Sequence, residues 1–156
     1  MSKLKCTCGN GMSNSDVPSI NIIRVFREAN IKLALDETPN VTLFDYETSD
    51  GDGFEYWYCQ DCKRVHVVEN IPNGTVVRRY QLAGSEEEAS IDGMEAIYVF
   101  SATEIYDAEE ESFDLTLGNY IEQNGESHVF YVDNLKEKVY KKTEETKGRL
   151  VYKIEK

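Results

Sequence analysis

The stretch Ile20-Asn21-Ile22-Ile23-Arg24-Val25-Phe26-Arg27 is apolar and rich in β-branched residues, and Glu95-Ala96-Ile97-Tyr98-Val99-Phe100 has the same character. Runs of this kind predict β-strands. A helix from Pro18 to Asp36 is the alternative for the first stretch, because its apolar residues also fall on one helical face. The second stretch has the character of a strand, so we predict a strand at both places.

The two predicted strands are related by a displacement of 74 residues, which aligns residues 17–82 with residues 91–156 without a gap. Thirteen of the 66 aligned pairs are identical, where ordinary composition gives about four. The identities fall mostly at apolar and glycine positions, for example Phe26/Phe100, Leu43/Leu117 and Tyr46/Tyr120. We therefore predict an α+β fold, built as a tandem duplication of a unit of about 65 residues with the order β-α-β-β-β.

The predicted elements follow the same order in each half. Helices are expected at Glu28–Glu37 and Ala102–Glu111, and Ser101 followed by Glu104 has the form of a capping box. The state of Val41–Tyr46 and Leu115–Gln123 is left open. Hairpins are expected within 54–69 and 128–142, with last strands at Thr75–Leu82 and Arg149–Glu155. The expected parts of the chain are a zinc-binding repeat at 1–82, an acidic linker at 83–90 and a metal-free acidic repeat at 91–156.

The four cysteines form two spaced pairs, Cys6-Thr7-Cys8 and Cys59-Gln60-Asp61-Cys62. The chain opens without an apolar secretory leader, so we expect a cytoplasmic protein. There, spaced cysteine pairs favour metal binding over disulfides. Because four thiolates complete the tetrahedron that Zn²⁺ prefers, we predict a structural zinc ion bound by Cys6, Cys8, Cys59 and Cys62.

Other interpretations of the cysteines remain open. Cys-x-x-Cys is also a redox motif, and a catalytic zinc ion would need one of the four ligands to be displaced. His66 is a possible fourth ligand if Cys6 or Cys8 does not bind. The one-residue spacing of Cys6 and Cys8 is tighter than usual, and Gly9 can take the positive φ that a tight ligand turn requires.

Cys6-x-Cys8-Gly9 followed by Trp57-x-Cys59-x-x-Cys62 resembles zinc-ribbon and zinc-knuckle proteins. The pattern is also similar to small uncharacterised bacterial proteins that open with Cys-x-Cys-Gly. The resemblance covers the N-terminal arm and the hairpin at 54–68. It implies a zinc site made of four cysteines, but no single function, because zinc ribbons occur in transcription factors, enzymes and adaptors.

Acidic residues are concentrated in the second half of the chain. The net charge is −12; residues 1–82 contain 9 basic and 11 acidic side chains, and residues 83–156 contain 8 and 18. Such a charge argues against a general nucleic-acid binder. We expect an acidic surface that binds a basic protein partner, formed by Glu104, Asp107, Glu109, Glu110, Glu111 and Asp114. A solvated face that maintains solubility is the alternative.

The expected function is therefore a small zinc-stabilised protein-binding module of the inhibitor, immunity or adaptor type. No recognisable catalytic motif favours an enzyme, although an unrecognised enzyme stays an alternative. The other alternative is a zinc-ribbon protein associated with nucleic acid or transcription, which would use a basic patch of Lys63, Arg64, Arg78 and Arg79. No apolar run approaches the roughly 20 residues needed to span a bilayer, so no membrane partner is expected.

Overall fold

The computed structural model describes residues 3–13, 18–49, 54–69 and 75–155. The N-terminal arm contains β1 (Lys3–Lys5) and β2 (Gly11–Ser13). The next elements are β3 (Ile22–Arg27), α1 (Glu28–Glu37), α2 (Leu43–Ser49), β4 (Phe54–Tyr58), β5 (Val65–Glu69) and β6 (Thr75–Leu82). The remainder contains β7 (Glu88–Ser90), β8 (Glu95–Ser101), α3 (Ala102–Glu111), α4 (Leu117–His128), β9 (Val129–Val132), β10 (Lys138–Glu144) and β11 (Lys147–Ile154).

Among these described elements, eight strands form a closed antiparallel β-barrel. Their order is β10-β9-β8-β3-β4-β5-β6-β11, and β11 pairs with β10 to complete the ring. β7 pairs with β11 as an additional strand outside the ring, and β1 and β2 form a separate hairpin. Closure leaves no unpaired edge among the eight strands, so nearly all of their backbone groups can bond to a neighbour.

The predicted α+β fold, with its tandem β-α-β-β-β unit, is wrong. The described chain is mostly β, with a closed barrel and four short helices. β3 pairs with β8, and β6 pairs with β11, so strands from the two halves of the sequence form one sheet. Identities at apolar positions report which residues are buried, but they do not report which strand is the partner, and the prediction failed for that reason.

The local predictions agree better with the structure. α1 and α3 have the predicted bounds, and the capping box is present: the backbone N–H of Glu104 donates to Ser101 Oγ over 3.1 Å. The strand at Thr75–Leu82 and the hairpin around Cys59 and Cys62 are also present. α2 and α4 begin inside the two segments left open and extend beyond them, to Ser49 and His128. These local features agree because they depend on nearby residues alone.

The four helices pack together against the outer surface of β3 and β8. Phe26 and Phe100 point outward from these two strands, and their rings lie 5.8 Å apart between centroids. Ile31, Leu43, Tyr46, Ile105, Leu117 and Tyr120 complete this buried cluster. A β-bridge between Thr42 and Thr116 joins the starts of α2 and α4. Within the described ranges, no helix combines the length and apolar character needed to cross a bilayer.

Two smaller clusters cover other parts of the barrel exterior. The first joins the N-terminal arm to β3, β4 and β5 through Cys6, Met12, Ile22, Trp57, Cys59 and Val68. The second contains Ile91, Tyr140 and Leu150, and it lies where the β7 segment covers β10 and β11. The largest groups of buried apolar side chains therefore lie outside the barrel wall, and the wall itself surrounds a separate interior.

Candidate functional site

Two tight turns position the four cysteines. Cys6 and Cys8 lie between β1 and β2, where the Cys6 N–H donates to the Asn10 carbonyl over 2.8 Å and the Gly9 N–H donates to the Cys6 carbonyl over 2.9 Å. Gly9 has φ +100°, the conformation predicted for it. Cys59 and Cys62 lie between β4 and β5, in a turn closed by the Lys63 N–H, which donates to the Cys59 carbonyl over 3.0 Å.

The turns bring all four sulfur atoms to within 4.8 Å of one another. Cys6 Sγ lies 3.4 Å from Cys62 Sγ, and Cys8 Sγ lies 3.6 Å from Cys59 Sγ. In a tetrahedral site with Zn–S bonds of about 2.3 Å, the sulfurs are about 3.8 Å apart. The cluster can therefore hold a metal ion, and the four predicted ligands are the residues that form it.

Neighbouring groups modify the acidity of these thiols. Burial raises the pKa of Cys6 to about 12. Burial also acts to raise the pKa of Cys59, but hydrogen bonds from the Cys62 backbone N–H and the Asn10 amide lower it to about 6. The pKa of Cys62 is also lowered, because the backbone and side chain of Arg64 outweigh the effect of burial. Metal binding would displace the protons that remain on these thiols.

His66 lies beside the cluster and does not belong to it. Its Nε2 is 3.3 Å from Cys6 Sγ, and its side chain is buried at 1% exposure. Burial and the charge of Arg79 lower its pKa, which favours the neutral ring. With four thiols already grouped, His66 is placed to donate a hydrogen bond to Cys6 and so to orient that ligand.

The predicted acidic surface is mostly exposed, but two of its members have other contacts. Asp107, Glu110, Glu111 and Asp114 are exposed on α3 and the turn after it. Glu104 accepts hydrogen bonds within the capping box, and one of its oxygens lies 2.8 Å from His128 Nε2. Glu109 is half-buried, and burial together with the charge of Glu47 raises its pKa.

The four residues of the predicted basic patch do not share one surface. Arg78 lines the barrel interior, whereas Arg79 pairs across the sheet with His66 on the outer side, beside the cysteines. Arg64 Nε donates to Glu155 over 2.6 Å, which neutralises its charge. Successive strand residues face opposite sides of a sheet, so Arg78 and Arg79 could not have formed a joint patch on β6.

The barrel encloses a cavity of about 680 Å³. Its apolar wall includes Ile23, Val25, Val65, Val67, Ile97 and Val99, and its aromatic wall includes Phe54, Tyr56, Tyr58, Tyr80, Phe130 and Tyr152. Strand register places several of these residues side by side, as in the row Ile23, Tyr56, Val67 and Arg78 across β3, β4, β5 and β6. All eight barrel strands contribute to the lining, so the cavity is the interior of the barrel.

Most charged groups around the cavity are paired. Arg27 donates to both carboxylate oxygens of Glu95, and His128 contacts Glu104. Although burial acts to raise the pKa of Glu104, hydrogen bonds from Ser101 and His128 lower it, so this carboxylate is ionised. Arg78 differs, because its hydrogen-bond partner is a neutral hydroxyl, Tyr80 Oη, at 3.4 Å.

Reasoning from the sequence missed this cavity. The alternation in Phe54-Glu55-Tyr56-Trp57-Tyr58 suggests that one side of the strand covers the metal site and the other side packs a core. Trp57 does cover the cysteines, but Phe54, Tyr56 and Tyr58 line the cavity. One sequence feature could have indicated the cavity, namely the number of tyrosines at inward-facing strand positions. A buried tyrosine hydroxyl needs a hydrogen-bond partner, so it suits a polar or ligand-binding interior better than a filled apolar core.

Comparison with known proteins assigns the chain to a family. A family model described as "Domain of unknown function (DUF8617)" matches residues 2–154. No curated protein and no solved structure matches the chain.

Proposed function

This chain belongs to the DUF8617 family, and we propose that it is a zinc-stabilised protein that binds a small, largely apolar molecule inside its β-barrel. The observation that carries the proposal is the cavity of about 680 Å³, lined by apolar and aromatic side chains from all eight strands. Eight-stranded barrels are wide enough either to be filled by side chains or to hold one small ligand. Ligand cavities in proteins usually measure roughly 300–1,000 Å³.

The placement of the buried clusters supports the same function. Phe26, Phe100 and Trp57 point outward and stabilise the helices and the N-terminal arm against the barrel. Because this packing lies outside the wall, the interior is not needed as the main core of the fold. A ligand can then occupy the cavity without replacing side chains that hold the structure together.

Zinc is the metal that best suits the cysteine cluster. Four thiolates form a soft, closed tetrahedral set that leaves no coordination position for a substrate, which is the arrangement of a structural site. Such a site would hold the N-terminal arm against β4 and β5. The turn residue Gln60 donates to the Ile20 carbonyl over 2.7 Å, and both residues line the cavity. The metal would therefore also fix one part of the cavity wall.

The proposal is tested by titrating the metal-loaded protein with the neutral dye N-phenyl-1-naphthylamine. We expect saturable binding with one site per chain, detected by increased dye fluorescence. Val99→Trp fills the interior and should abolish binding, whereas Val77→Trp, at a position that is 42% exposed, should leave binding unchanged. Absence of saturable binding, or equal binding by both tryptophan variants, would contradict the proposal.

A second candidate function is recognition of a basic protein through the acidic surface on α3. The observation that favours it is an exposed aromatic pair: Phe44 and Phe113 are 38% and 71% exposed, and their ring centroids lie 5.3 Å apart. Exposed aromatic residues next to acidic side chains such as Asp114 could anchor a basic partner.

This candidate predicts a partner whose binding weakens as salt rises. Pull-down from a native lysate with Asp107→Lys/Glu111→Lys should lose a basic protein that the unmodified chain retains, and Phe113→Ala should weaken retention. Arg149→Gln, an exposed change on β11, serves as the control. Retention that is insensitive to both salt and these substitutions would exclude α3 as the binding surface.

A further inference from the structure

Arg78 introduces a positive charge into a mostly apolar cavity. It is half-buried on β6, where its register neighbour on β5 is Val67, and beyond Val67 lies Tyr56. Removing a guanidinium from water into such surroundings is costly unless an anion and hydrogen-bond acceptors compensate. The Arg78 guanidinium therefore requires an anion or hydrogen-bond acceptors nearby.

The described part of the chain supplies no carboxylate within ion-pair distance of Arg78. The other arginine and the histidine of the cavity wall do have such partners, since Arg27 binds Glu95 and His128 binds Glu104. Arg78 Nη1 instead donates to the Tyr80 hydroxyl over 3.4 Å. A guanidinium has five N–H donors, so most of its hydrogen-bonding capacity is available to a ligand.

Tyr80 fixes the orientation of this guanidinium. Its hydroxyl donates to the Lys136 carbonyl over 2.6 Å while it accepts from Arg78. Tyr80 is thus bonded to the turn between β9 and β10. Because a backbone carbonyl holds this hydroxyl, the hydroxyl restricts the positions that the Arg78 guanidinium can take, which lowers the ordering cost of binding an anion.

We infer that the molecule bound in the barrel carries one anionic group on an apolar body, and that Arg78 binds the anion while the aliphatic and aromatic walls bind the body. The inference rests on the proposed function of the cavity. A planar guanidinium matches a carboxylate through two parallel hydrogen bonds. Lys136 also lines the cavity and has no ion pair among the described residues, but it is exposed, whereas Arg78 is half-buried. We therefore expect the negative charge of the ligand to lie at Arg78.

The test compares ligands that share a chain and differ in the head group. Decanoate, decyl phosphate and decan-1-ol are titrated against the metal-loaded protein by displacement of N-phenyl-1-naphthylamine, with the dissociation constant of the dye measured for each variant. We expect decanoate or decyl phosphate to bind at least about 10-fold more tightly than decan-1-ol, because a charged hydrogen-bonded pair favours the anion. The tighter binder of decanoate and decyl phosphate then shows whether the site prefers a carboxylate or a phosphate.

Variants at position 78 separate this inference from the proposed function. Arg78→Gln should reduce the preference for the anion over the alcohol by about 10- to 100-fold, and Arg78→Lys should retain part of it. Arg149→Gln, which removes an exposed arginine, should leave the preference unchanged. Equal affinities for the alcohol and the anions, or an unchanged preference in Arg78→Gln, overturns the inference while the cavity function stands. If neither the dye nor any of the three ligands binds, the cavity function itself fails.

Discussion

Trp57 and Tyr58 are neighbours on β4, yet their side chains reach different surfaces of the barrel wall. Trp57 is 2% exposed and packs with Cys6 and Cys59 on the outside, while Tyr58 lines the cavity. A shift of one residue in the register of β4 would exchange the two roles. The packing against the cysteine cluster and the lining of the cavity are therefore specified by the same alternation.

Cys59 is fully buried within the cysteine cluster. Cys59→Ser should remove the bound metal and lower the free energy of unfolding by several kcal/mol, because structural zinc contributes its binding energy to folding. Metal content after gel filtration and urea denaturation measure the two effects. Met12→Leu alters the same buried cluster without removing a ligand, and it should keep one metal per chain and cost less than about 1.5 kcal/mol. A Cys59→Ser protein that retains its metal would show that the four cysteines do not bind one shared metal ion.

Gly9 gives a second test at this scale. It has φ +100°, and an added Cβ would meet no atom within 4 Å, so Gly9→Ala would carry only the backbone cost. That cost is about 1–2 kcal/mol, and it should appear as weaker metal retention in competition with a chelator. Gly11→Ala also has open space around it but no positive φ. Equal effects of the two substitutions would show that the turn does not depend on the left-handed conformation.

The helices α1 and α3 have equal lengths, but their N-termini are capped differently. Ser101 and Glu104 form a reciprocal capping box on α3, whereas Arg27 provides no side-chain cap for α1. Glu104 also contacts His128 at the end of α4. The start of α3 is therefore tied to the end of α4, at a place where both helices meet the cavity wall.

The capping box predicts a pH-dependent effect on stability. The pKa of Glu104 is lowered in the fold, since hydrogen bonds from Ser101 and the nearby His128 outweigh the effect of burial. Its stabilising contribution is therefore full above the ordinary carboxyl value of about 4.5 and is lost as the pH falls through the lower folded pKa. Glu104→Gln should be less stable by about 0.5–1 kcal/mol at about pH 7, and the difference should be smaller at about pH 3.

Urea denaturation at both pH values measures this effect. Glu111→Gln changes a carboxylate at the opposite end of α3, where the helix dipole disfavours negative charge, and it should not destabilise the protein at either pH. A loss of stability in Glu104→Gln that is the same at both pH values would indicate a packing effect unrelated to ionisation.

The elements also show how far the fold could be predicted. β-Branched runs were sufficient to predict strands such as β3 and β8, and the Ser101–Glu104 spacing predicted the start of α3, because these depend on neighbouring residues. Barrel closure depends on pairings such as Val25 with Val99 and Tyr152 with Leu82, which join distant parts of the chain. An apolar strand residue does not identify its partner strand, so the ring of strands could not be read from composition and spacing.

At the scale of the whole molecule, helices, the N-terminal arm and the β7 segment each cover part of the barrel exterior. The cysteine cluster could be predicted, because closely spaced cysteine pairs are typical of metal-binding sites. The cavity could not, because residues such as Val25, Val67 and Val99 are equally suitable for a filled interior. The charge of Arg78 on an inward-facing position becomes meaningful only once the closed wall is known.

Removal of the metal should affect the molecule unevenly. After chelation, hydrogen exchange should accelerate in residues 3–13 and 54–69, because the arm loses its connection to β4 and β5, and should change little in α3 and β8. Dye affinity should fall but persist, since Gln60 and Tyr58 form only part of the cavity wall. A uniform loss of hydrogen-exchange protection along the chain would instead show that the metal stabilises the entire barrel.

If a small molecule binds inside the barrel, intermolecular nuclear Overhauser effects in methyl-labelled protein should locate the bound dye there. We predict contacts from N-phenyl-1-naphthylamine to the methyl groups of Val25, Val67 and Val99, which line the interior. Contacts confined to outer residues such as Leu33 and Val77, which are 61% and 42% exposed, would contradict the account.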